Sequence, residues 1–541
     1  MIVNNKEIIL GYKERINDNQ NSEKKWYINQ CGYDTDKSKR ATFTNGVRGS
    51  KFYIKDVTTN KIVFTGTIYN QIADFTKFTT IGEYYLECMG IKSYNFKIAK
   101  NRIFNISISP AMKFMEQSRG DSGIDTHNST GIGWRDSHQF SFELNSLVMM
   151  YMANPSYWEN LPRNVYEVDK CEYTELATQN EPNIIWLIKW GVTRYYDWAI
   201  NQGIKLHAQI KGQLAYFLYL YPHISNYVTN EFYTTIRDFV ISVWGVNECN
   251  KSWYNETTNH NLFATESVIG TVKGANPAGF SIVPNLMMYE VLKRDGLSNY
   301  QQYFDSAYNT TQWIINSVDL DDPKTTKGQR MSEYITVTSL CYFQEMYPNT
   351  CPPTLLNKIK RLAYVYISRS NNLWDFRQYR TKGDLSGATE TRWTNDYTGT
   401  GGLANQPGNT AGFASICYAI CRVIDNTDKI RRLKEIAIAH LDNVFGRNPM
   451  GRHMCYKATT DFEDAKLGWG THMNGVGNLQ WCEGALDGSP KEDSYPYNPN
   501  ASDGYSESWV AFNTAWNMSL AYLSAEDKYI TDGIGIFKNK Y

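Results

Sequence analysis

The sequence lacks several features that would assign it to a functional class at once. It has no net charge, with 55 Lys and Arg against 55 Asp and Glu, which gives no electrostatic reason to expect nucleic acid or an anionic membrane as partner. No window reaches the length of a membrane span, and the N-terminus has no charged segment followed by an apolar run of signal length. We therefore expect a cytoplasmic protein, or a secreted one if a signal sequence was trimmed.

Metal-binding patterns are missing as well. The 10 cysteines contain no Cys-x-x-Cys pair and no Cys/His spacing of the kind that holds zinc, and no EF-hand pattern occurs. Reduced thiols fit this arrangement best. The sequence therefore predicts neither a metal nor a cofactor.

Length and aromatic content are the informative positive features. A chain of 541 residues is too long for one ordinary core, which favours two domains. The 39 Tyr and 15 Trp suit stacking against the faces of sugar rings, although a compositional bias toward Asn, Lys, Ile and Tyr gives the same count.

The first hundred residues show the pattern of short β-strands. Residues 51–57 and 62–68 flank a four-residue turn, and residues 83–88 and 93–98 flank a second one. Such spacing predicts a small β-sandwich, and we place this domain at residues 1–105. We expect no chemistry there, only cover for an apolar face of the larger domain.

After a short connection near residues 100–110, the pattern changes to helices, and we assign residues 106–541 to a second domain. The repeating 3.6-residue periodicity fits both an (α/α)6 barrel and an α-solenoid. A basic run at residues 429–434 predicts a solvated helix face. The predicted helices lie near 140–154, 182–200, 205–221, 226–246, 259–271, 280–295, 299–317, 331–347, 353–370, 408–424, 427–446 and 507–524.

The stretch from Asp503 to Asn517 contains the strongest candidate for chemistry, which is Glu507. Apolar spacing after it places Glu507 in or just before the first turn of a helix, and Gly504 indicates a turn before it. An acidic residue there also complements the helix dipole with no further role. Because the dipole lowers a carboxyl pKa, a catalytic Glu507 needs burial to act as an acid.

Three motifs in this part of the chain resemble family 9 glycoside hydrolases. They are Tyr505-x-Glu507 with Asn513 six residues on, the turn Phe445-Gly-Arg-Asn-Pro-Met-Gly451, and the segment Gly484-Ala-Leu-Asp-Gly-Ser-Pro490. The resemblance implies that Glu507 donates a proton to the glycosidic oxygen. It also implies an (α/α)6 barrel rather than a solenoid, preceded by an immunoglobulin-like domain.

A fourth segment, Gly131-Ile-Gly-Trp-Arg-Asp-Ser-His-Gln139, resembles the family's water-binding loop but departs from it. Aligned on Trp134, Asp136 matches the Asp that helps to hold the water. Gln139 falls where the family has its general base, and an amide accepts no proton at neutral pH. A loop Asp that satisfies backbone donors is the structural alternative for Asp136.

Three interpretations of Gln139 stay open. In the first, Asp136 replaces the base, and Gln139 orients water or sugar. In the second, the protein is a phosphorylase in which phosphate is the nucleophile, with Arg135 and His138 as anion contacts. In the third, the barrel is an inactive glycan-binding relic. The resemblance also implies substrate contact for a single histidine, His472, where the family has a His-His-Arg run. Trp134 and Tyr505 complete the predicted substrate-binding set.

The sequence thus predicts a hydrolase that cleaves a β-linked oligosaccharide or polysaccharide by inversion, with Glu507 as acid and Asp136 as base. Inverting enzymes hold these two carboxyls ~6.5–9.5 Å apart to leave room for water. The rival is a non-catalytic glycan-binding protein on the same fold.

Overall fold

The computed structural model describes residues 24–119, 133–134, 141–161, 181–250, 259–264, 276–320, 333–377, 379–380, 391–392, 407–448, 451, 455–456, 475–482, 506–508, 510–527 and 529–538. Strands occupy the first part of the chain, and helices dominate from residue 102 onward.

The N-terminal part forms a connected sheet in the order β1-β3-β6-β5-β4-β7-β9-β2, with β8 pairing to β7. Strand β5 pairs with β4 up to Thr67 and with β6 at Ile68 and Tyr69, so it passes from one layer of a sandwich to the other. The strands are β1 Lys25–Tyr27, β2 Tyr33–Asp34, β3 Arg40–Thr44, β4 Lys51–Asp56, β5 Ile62–Tyr69, β6 Ile72–Asp74, β7 Gly82–Cys88, β8 Ile91–Lys92 and β9 Phe96–Ala99.

Both predicted hairpins are confirmed. In the first, Phe52 lies opposite Gly66, where a Cβ would come within 2.3 Å of the Phe52 ring. In the second, Tyr84 pairs with Phe96, and β9 starts three residues later than predicted. The alternating inward side chains of these strands, such as Ile54 and Leu86, fill an apolar core between the layers.

The helices, as far as the structure describes them, alternate between an inner and an outer ring. Each inner helix packs against the next, and the last packs back against the first, so the predicted (α/α)6 barrel is confirmed. The inner helices are α2 Glu143–Ala153, α5 Ala208–Ile224, α7 Ile282–Arg294, α9 Glu333–Met346, α11 Pro407–Cys421 and α13 Val510–Ala525. The outer ones are α1 Arg102–Gln117, α4 Asn183–Ile200, α6 Asn230–Val243, α8 Gln301–Ser317, α10 Leu355–Arg369 and α12 Thr427–Val444, and a short α3 spans Pro155–Glu159.

Burial separates the two rings as their sequences require. Every residue of α2 is buried, as expected for a helix surrounded by others. The outer helix α10 buries one stripe at three- and four-residue spacing and leaves its opposite face to solvent.

Two sequence predictions about helices were wrong. Residues 100–110, expected to be a connection, lie largely in α1, which buries Ile103, Ile108 and Met112 against the barrel. Residues 259–264, expected to start a helix, form turns. There the side chains of Asn259 and Asn261 accept hydrogen bonds from Asn261 N and Phe263 N, which satisfies locally the amides that a helix would use.

The C-terminal segment 529–538 closes one end of the barrel. Ile534 N donates to Met152 O at 2.8 Å, near the C-terminal end of α2. Phe537 packs edge-on against Tyr522 at 5.1 Å, near the C-terminal end of α13. The opposite end, where the inner helices begin, is the end reached by the segments that carry the candidate site.

Polar and charged groups bind the N-terminal domain to the barrel. Asp375, fully buried, accepts hydrogen bonds from Arg40 of β3 at 2.7 Å, from Arg432 at 2.8 Å and from Arg447 at 2.7 Å. Asn29 Nδ2 donates to Asp442 Oδ1 at 2.7 Å. The basic run at 429–434 is therefore not a uniformly solvated face, because Arg432 turns inward to this cluster.

The turn that resembles the family's Asn-Pro motif lies at this same boundary. Gln30 N donates to Phe445 O at 2.9 Å, and Gln30 Nε2 donates to Gly451 O at 2.8 Å. Gly446 has a φ of +113°, and a Cβ there would lie 2.6 Å from Gln30 Nε2, so this position requires glycine. The N-terminal domain thus holds both ends of the turn.

Candidate functional site

The N-terminal ends of several inner helices meet at one end of the barrel. Gln213 of α5 accepts a hydrogen bond through Oε1 from Leu144 N at the start of α2, at 2.8 Å. Burial raises the pKa of Tyr334, a hydrogen bond with the Thr514 side chain opposes this, and the nearby charge of Glu143 raises it further. These contacts place the starts of α2, α9 and α13 next to one another.

Trp134 is the one predicted site residue whose side chain the structure describes. It is fully buried, and its Nε1 donates to Met115 O at 2.7 Å, at the end of α1. Its ring packs edge-on against Trp190 at 4.9 Å and Tyr195 at 6.3 Å, both on α4. Trp134 therefore anchors its segment to two outer helices, and a stacking role toward sugar has no support in these contacts.

Glu143 is a buried carboxyl that the sequence reading did not single out. It is the first residue of α2 and has no exposed surface. Ser141 Oγ donates to its Oε1, and Tyr195 OH donates to its Oε2 at 3.4 Å. Burial raises the pKa of Glu143 to about 7, although hydrogen bonds from Ser141, Gln213 and Tyr195 lower it.

Glu333, the first residue of α9, is a second buried carboxyl at this end. Tyr366 OH donates to its Oε2 at 3.2 Å, and Arg377 Nε lies 3.6 Å from its Oε1. The Arg377 guanidinium also lies over the Tyr366 ring, 5.1 Å from its centroid. Glu333 is thus paired with a cation, whereas the hydrogen-bond donors around Glu143 are neutral.

Glu507 lies in a three-residue strand rather than in a helical turn. Strand β11, Ser506–Ser508, pairs antiparallel with β10, Gly475–Cys482, and Glu507 lies opposite Trp481. Helix α13 begins at Val510, three residues later than the predicted start at 507. The prediction that Glu507 directly precedes an apolar helix agrees with this backbone.

The remaining predicted site residues fall outside the described residues. These are Arg135, Asp136, His138, Gln139, His472 and Tyr505. Their roles stay predictions. Four of them, from Arg135 to Gln139, lie in the segment between the described residues 133–134 and 141–142.

Sequence reasoning missed Glu143 and Glu333 because each resembles an ordinary acidic residue in a helix's first turn. The only signal in the sequence was an acidic residue at the start of a largely apolar helix. Glu507 shows the same sequence pattern. Within the described residues, no group of three or more His, Cys, Asp or Glu side chains is arranged to hold a metal. None of the described helices combines the length and apolarity needed to cross a bilayer.

Comparison with known proteins identifies the N-terminal domain and the overall fold. The family model of the cellulase N-terminal ig-like domain matches residues 21–93. No curated protein matches the sequence at a significant level.

Solved structures of family 9 enzymes are similar over nearly the whole chain. A Bacteroides ovatus family 9 glycoside hydrolase has 14% identity and a TM-score of 0.58, covering 92% of this chain and 99% of its own. An endoglucanase from Alicyclobacillus acidocaldarius has 10% identity and a TM-score of 0.59, covering 93% of this chain and 100% of its own.

The structure of AaCel9A in complex with cellobiose-like isofagomine has 11% identity and a TM-score of 0.60, covering 92% of this chain and 99% of its own. At such identities the similarity establishes the fold. The chain therefore has the fold of family 9 glycoside hydrolases, an (α/α)6 barrel that follows an ig-like domain.

Proposed function

We propose that this protein is a glycoside hydrolase that cleaves a β-linked glycan or oligosaccharide by inversion, with Glu507 as general acid and Asp136 as general base. The observation that carries the proposal is the adjacency of α13 and α2 in the inner ring. Glu507 directly precedes α13, and the segment of Asp136 leads into α2. Both candidate carboxyls therefore belong to the starts of neighbouring helices.

The spacing of packed helices supports this assignment. Axes of packed helices lie ~8–10 Å apart, and an inverting pair of carboxyls needs a separation of ~6.5–9.5 Å. Segments that lead into adjacent inner helices can bring two carboxyls to such a separation. The charge of Glu143 and the side chain of Thr514 both act on Tyr334, which supports close approach of the two helix starts.

Two features bear on the substrate. The fold is that of enzymes called endoglucanases, and AaCel9A was solved with a cellobiose-like isofagomine. We therefore favour β-linked gluco-oligosaccharides as the first substrates to test. A saccharide partner is the part of this proposal that the fold supports most directly.

Glu507→Gln tests the general acid. The variant should lose ~10²–10⁴ in turnover on any glycan that the wild type cleaves, while binding survives, because general acid catalysis contributes about that much. The loss should shrink with a nitrophenyl glycoside, whose leaving group needs less protonation. Glu83→Gln, on an exposed position of β7, is the matched control and should retain full turnover. Retention of more than about a tenth of turnover by Glu507→Gln would assign the acid elsewhere.

Asp136→Asn and Gln139→Asp test the base. Asp136→Asn should abolish hydrolysis, and Gln139→Asp should leave it unchanged or raise it. Hydrolysis that survives Asp136→Asn contradicts the proposed base. Release of a sugar 1-phosphate only after addition of inorganic phosphate would instead identify a phosphorylase. Oligosaccharides that raise the melting temperature of every variant, with no turnover in any, would identify a glycan-binding relic.

A further inference from the structure

A small pocket lies where the N-terminal domain meets the barrel, at the end where the inner helices finish. The N-terminal domain contributes Asp34 and Lys37 to its wall, and the chain at the end of α13 contributes Ser524 and Asp527. Its volume is about 50 Å³, which is room for a few water molecules, since one water needs ~10–15 Å³ of such volume. We call this site the boundary pocket.

The boundary pocket is distant from the candidate active site. Glu507 lies just before α13, whereas Ser524 lies in the last turn of the same helix. Because an α-helix rises ~1.5 Å per residue, roughly 20 Å separate Val510 from Ser524 along α13. A small ligand in the boundary pocket therefore cannot reach the group proposed as the general acid.

Two asparagines of α1 and its N-cap bring unused acceptors to the boundary pocket. Asn101 Nδ2 donates to Asp527 Oδ2 at 2.9 Å, and Asn105 Nδ2 donates to Lys100 O at 3.2 Å. Neither Asn101 Oδ1 nor Asn105 Oδ1 accepts a hydrogen bond from the residues that the structure describes. Both amide oxygens are thus available to a hydroxyl donor in the pocket.

Ser524 brings an unused donor. Its side chain is 7% exposed, and Oγ accepts a hydrogen bond from Asn154 Nδ2 at 3.2 Å. Across the described part of the chain, its hydroxyl proton has no acceptor. A buried hydroxyl with an unused proton costs free energy unless something in the pocket accepts that proton.

The charges around the boundary pocket disfavour an ion as its ligand. Asp34 and Asp527 each already accept a backbone N–H hydrogen bond, and Lys37 pairs with Asp36 at 3.0 Å. An anion would face two carboxyls and one ammonium that already has a partner, and a metal cation would lie beside that ammonium. A neutral ligand with neighbouring hydroxyls meets neither difficulty, because each hydroxyl both donates and accepts.

Apolar side chains complete the wall of the boundary pocket. Phe104 and Tyr157 pack edge-on, with ring centroids 5.1 Å apart, and Leu523 and Ile530 also line the pocket. A wall that combines aromatic rings with a few polar groups is typical of small-molecule sites. Sugars match this combination, since they present C–H groups to apolar surface and hydroxyls to amides.

We propose that the boundary pocket is a second, non-catalytic saccharide site that binds the edge of one neutral sugar residue. Its small volume admits part of one residue, and the rest of the ligand stays in solvent. Because the walls come from both domains, the bound sugar links the N-terminal domain to the barrel. This inference goes beyond the proposed function and does not depend on it, since a monosaccharide has no glycosidic bond to cleave.

Hydrogen exchange of the full chain, titrated with glucose, galactose or xylose, tests the proposal. At saturation, at least one of these sugars should slow exchange about three-fold or more in peptides spanning residues 100–107 and 518–527. Glycerol at the same concentration controls for general solute effects and should slow exchange in neither peptide. A peptide spanning residues 143–150 reports separately on the end of the barrel where the inner helices begin.

Two variants locate the binding. Asn105→Ala and Ser524→Ala should each raise the sugar concentration for half-maximal slowing about five-fold, because each removes one hydrogen-bonding group. Asn230→Ala is the matched control, since Asn230 is also an exposed asparagine in the first turn of an outer helix, α6. It should respond like the wild type. If Ser524→Ala proves unstable, Asn105→Ala decides alone, because its side chain is exposed.

Chain length distinguishes the boundary pocket from a catalytic cleft. In the Glu507→Gln protein, cellotetraose and glucose should half-saturate the 100–107 and 518–527 peptides within about three-fold of each other, because only one residue enters the pocket. The proposal is overturned by any of four results. They are no slowing with any of the three sugars, equal slowing with glycerol, an unchanged response in both variants, and slowing by inorganic phosphate or Ca²⁺ in place of the sugars.

Turnover assays separate this inference from the proposed function. Sugar-dependent slowing in the boundary-pocket peptides, with no turnover of any glycan, would support the second site and refute the hydrolase. Turnover of a glycan without such slowing would support the hydrolase and refute the second site. Asn105→Ala should leave turnover within about two-fold of wild type, because the pocket takes no part in bond cleavage.

Discussion

The domain boundary and the end of the barrel where the inner helices begin each contain a fully buried carboxyl, and the pKa values of the two are shifted in opposite directions. At the boundary, burial alone would raise the pKa of Asp375, but the guanidiniums of Arg40, Arg432 and Arg447 outweigh it and hold the pKa below its usual range. At the open end, burial raises the pKa of Glu143 to about 7, since its donors are neutral. The surroundings, not the depth of burial, decide the charge.

This difference indicates different roles. A carboxylate fixed by three guanidiniums stays charged at all ordinary pH values and can only hold its partners in place. A buried carboxyl without a cation keeps its proton near neutral pH and can change state under mild conditions, which is characteristic of functional sites. The domain boundary therefore serves as a clamp, and the open end is the region where proton chemistry is expected.

Removing the charge of the clamp should have the largest effect on stability. Asp375→Asn leaves three guanidiniums around a neutral amide, and breaking a buried ion pair costs ~3–5 kcal/mol. We expect the free energy of unfolding to fall by about that amount in denaturant titrations at pH 7. Asp425→Asn is the control, because Asp425 is 85% exposed and pairs with Lys360 at 3.4 Å. Equal midpoints for Asp375→Asn and wild type would show that the clamp contributes nothing net.

The pH dependence of stability should reflect the neutral carboxyls. Burial raises the pKa of Glu143 and Asp442 to about 7 and that of Asp34 to about 6. Their stabilising contribution is complete below their unfolded pKa near 4 and is lost as pH rises through the folded values. His440 opposes this, because burial lowers its pKa to about 3 and its contribution grows until the unfolded value near 6.5 is passed.

Since three carboxyls act against one imidazole, the folded state binds a net two protons more, and the free energy of unfolding should fall by roughly 3 kcal/mol per pH unit between about pH 5 and about pH 6, and by less between about pH 6 and about pH 7. Asp375 adds nothing in this window, because its lowered pKa matters only at more acidic pH. Denaturant midpoints at constant ionic strength measure the slope. A free energy of unfolding that rises across this window would contradict the neutral state of these carboxyls.

Gln30→Ala, at the same domain boundary, should lower the free energy of unfolding by less. The variant loses the hydrogen bond from Nε2 to Gly451 O but keeps the backbone bond to Phe445 O, so a loss of ~1–2 kcal/mol is expected. Gln301→Ala, on the exposed start of α8, should not change the midpoint. If Gln30→Ala also reduces turnover while stability is nearly unchanged, the N-terminal domain positions the turn at 445–451 for catalysis as well.

Glu143→Gln should have the smallest effect on stability. It replaces a carboxyl that is about half ionised near pH 7 by an amide of the same shape, so the free energy of unfolding there should change by less than about 1 kcal/mol. Above about pH 7 the variant should equal or exceed the wild type, because it has no charge to bury. A pH slope identical to that of the wild type would show that another group accounts for the dependence.

The sequence predicted the fold well because helix periodicity and hairpin turns are local signals. Most of the predicted helices were found within a few residues of their observed bounds, and both hairpins were confirmed. Helix α1 was missed because its Ile-Ser-Ile-Ser run, residues 106–109, alternates like a strand. Its packing against the barrel overrides that local preference.

The site was less predictable because its features depend on contacts across the fold. Glu143 and Glu333 start inner helices in the same way, yet among the residues that the structure describes only Glu333 has a cation in ion-pair range, namely Arg377, 44 positions later in the chain. The sequence predicted that Arg432 belongs to a solvated basic face, but in the structure it pairs with Asp375 at the boundary with the N-terminal domain. Motif resemblance singled out Glu507 and Trp134 as candidates, but the pKa of the buried carboxyl of Glu143 is set by burial that no motif records.

The closure of the inner ring has a consequence for the folding of the nascent chain. Helix α2 completes its packing only when α13 arrives, as the hydrogen bond from Asn154 Nδ2 to Ser524 Oγ at 3.2 Å illustrates. At ~5–20 residues per second, a ribosome needs roughly 20–70 s to synthesise the chain between these helices. During that time α2 exposes an apolar face with no native partner. Because exposed apolar surface makes a nascent chain prone to aggregation, the yield of folded protein should depend on this interval as well as on final stability.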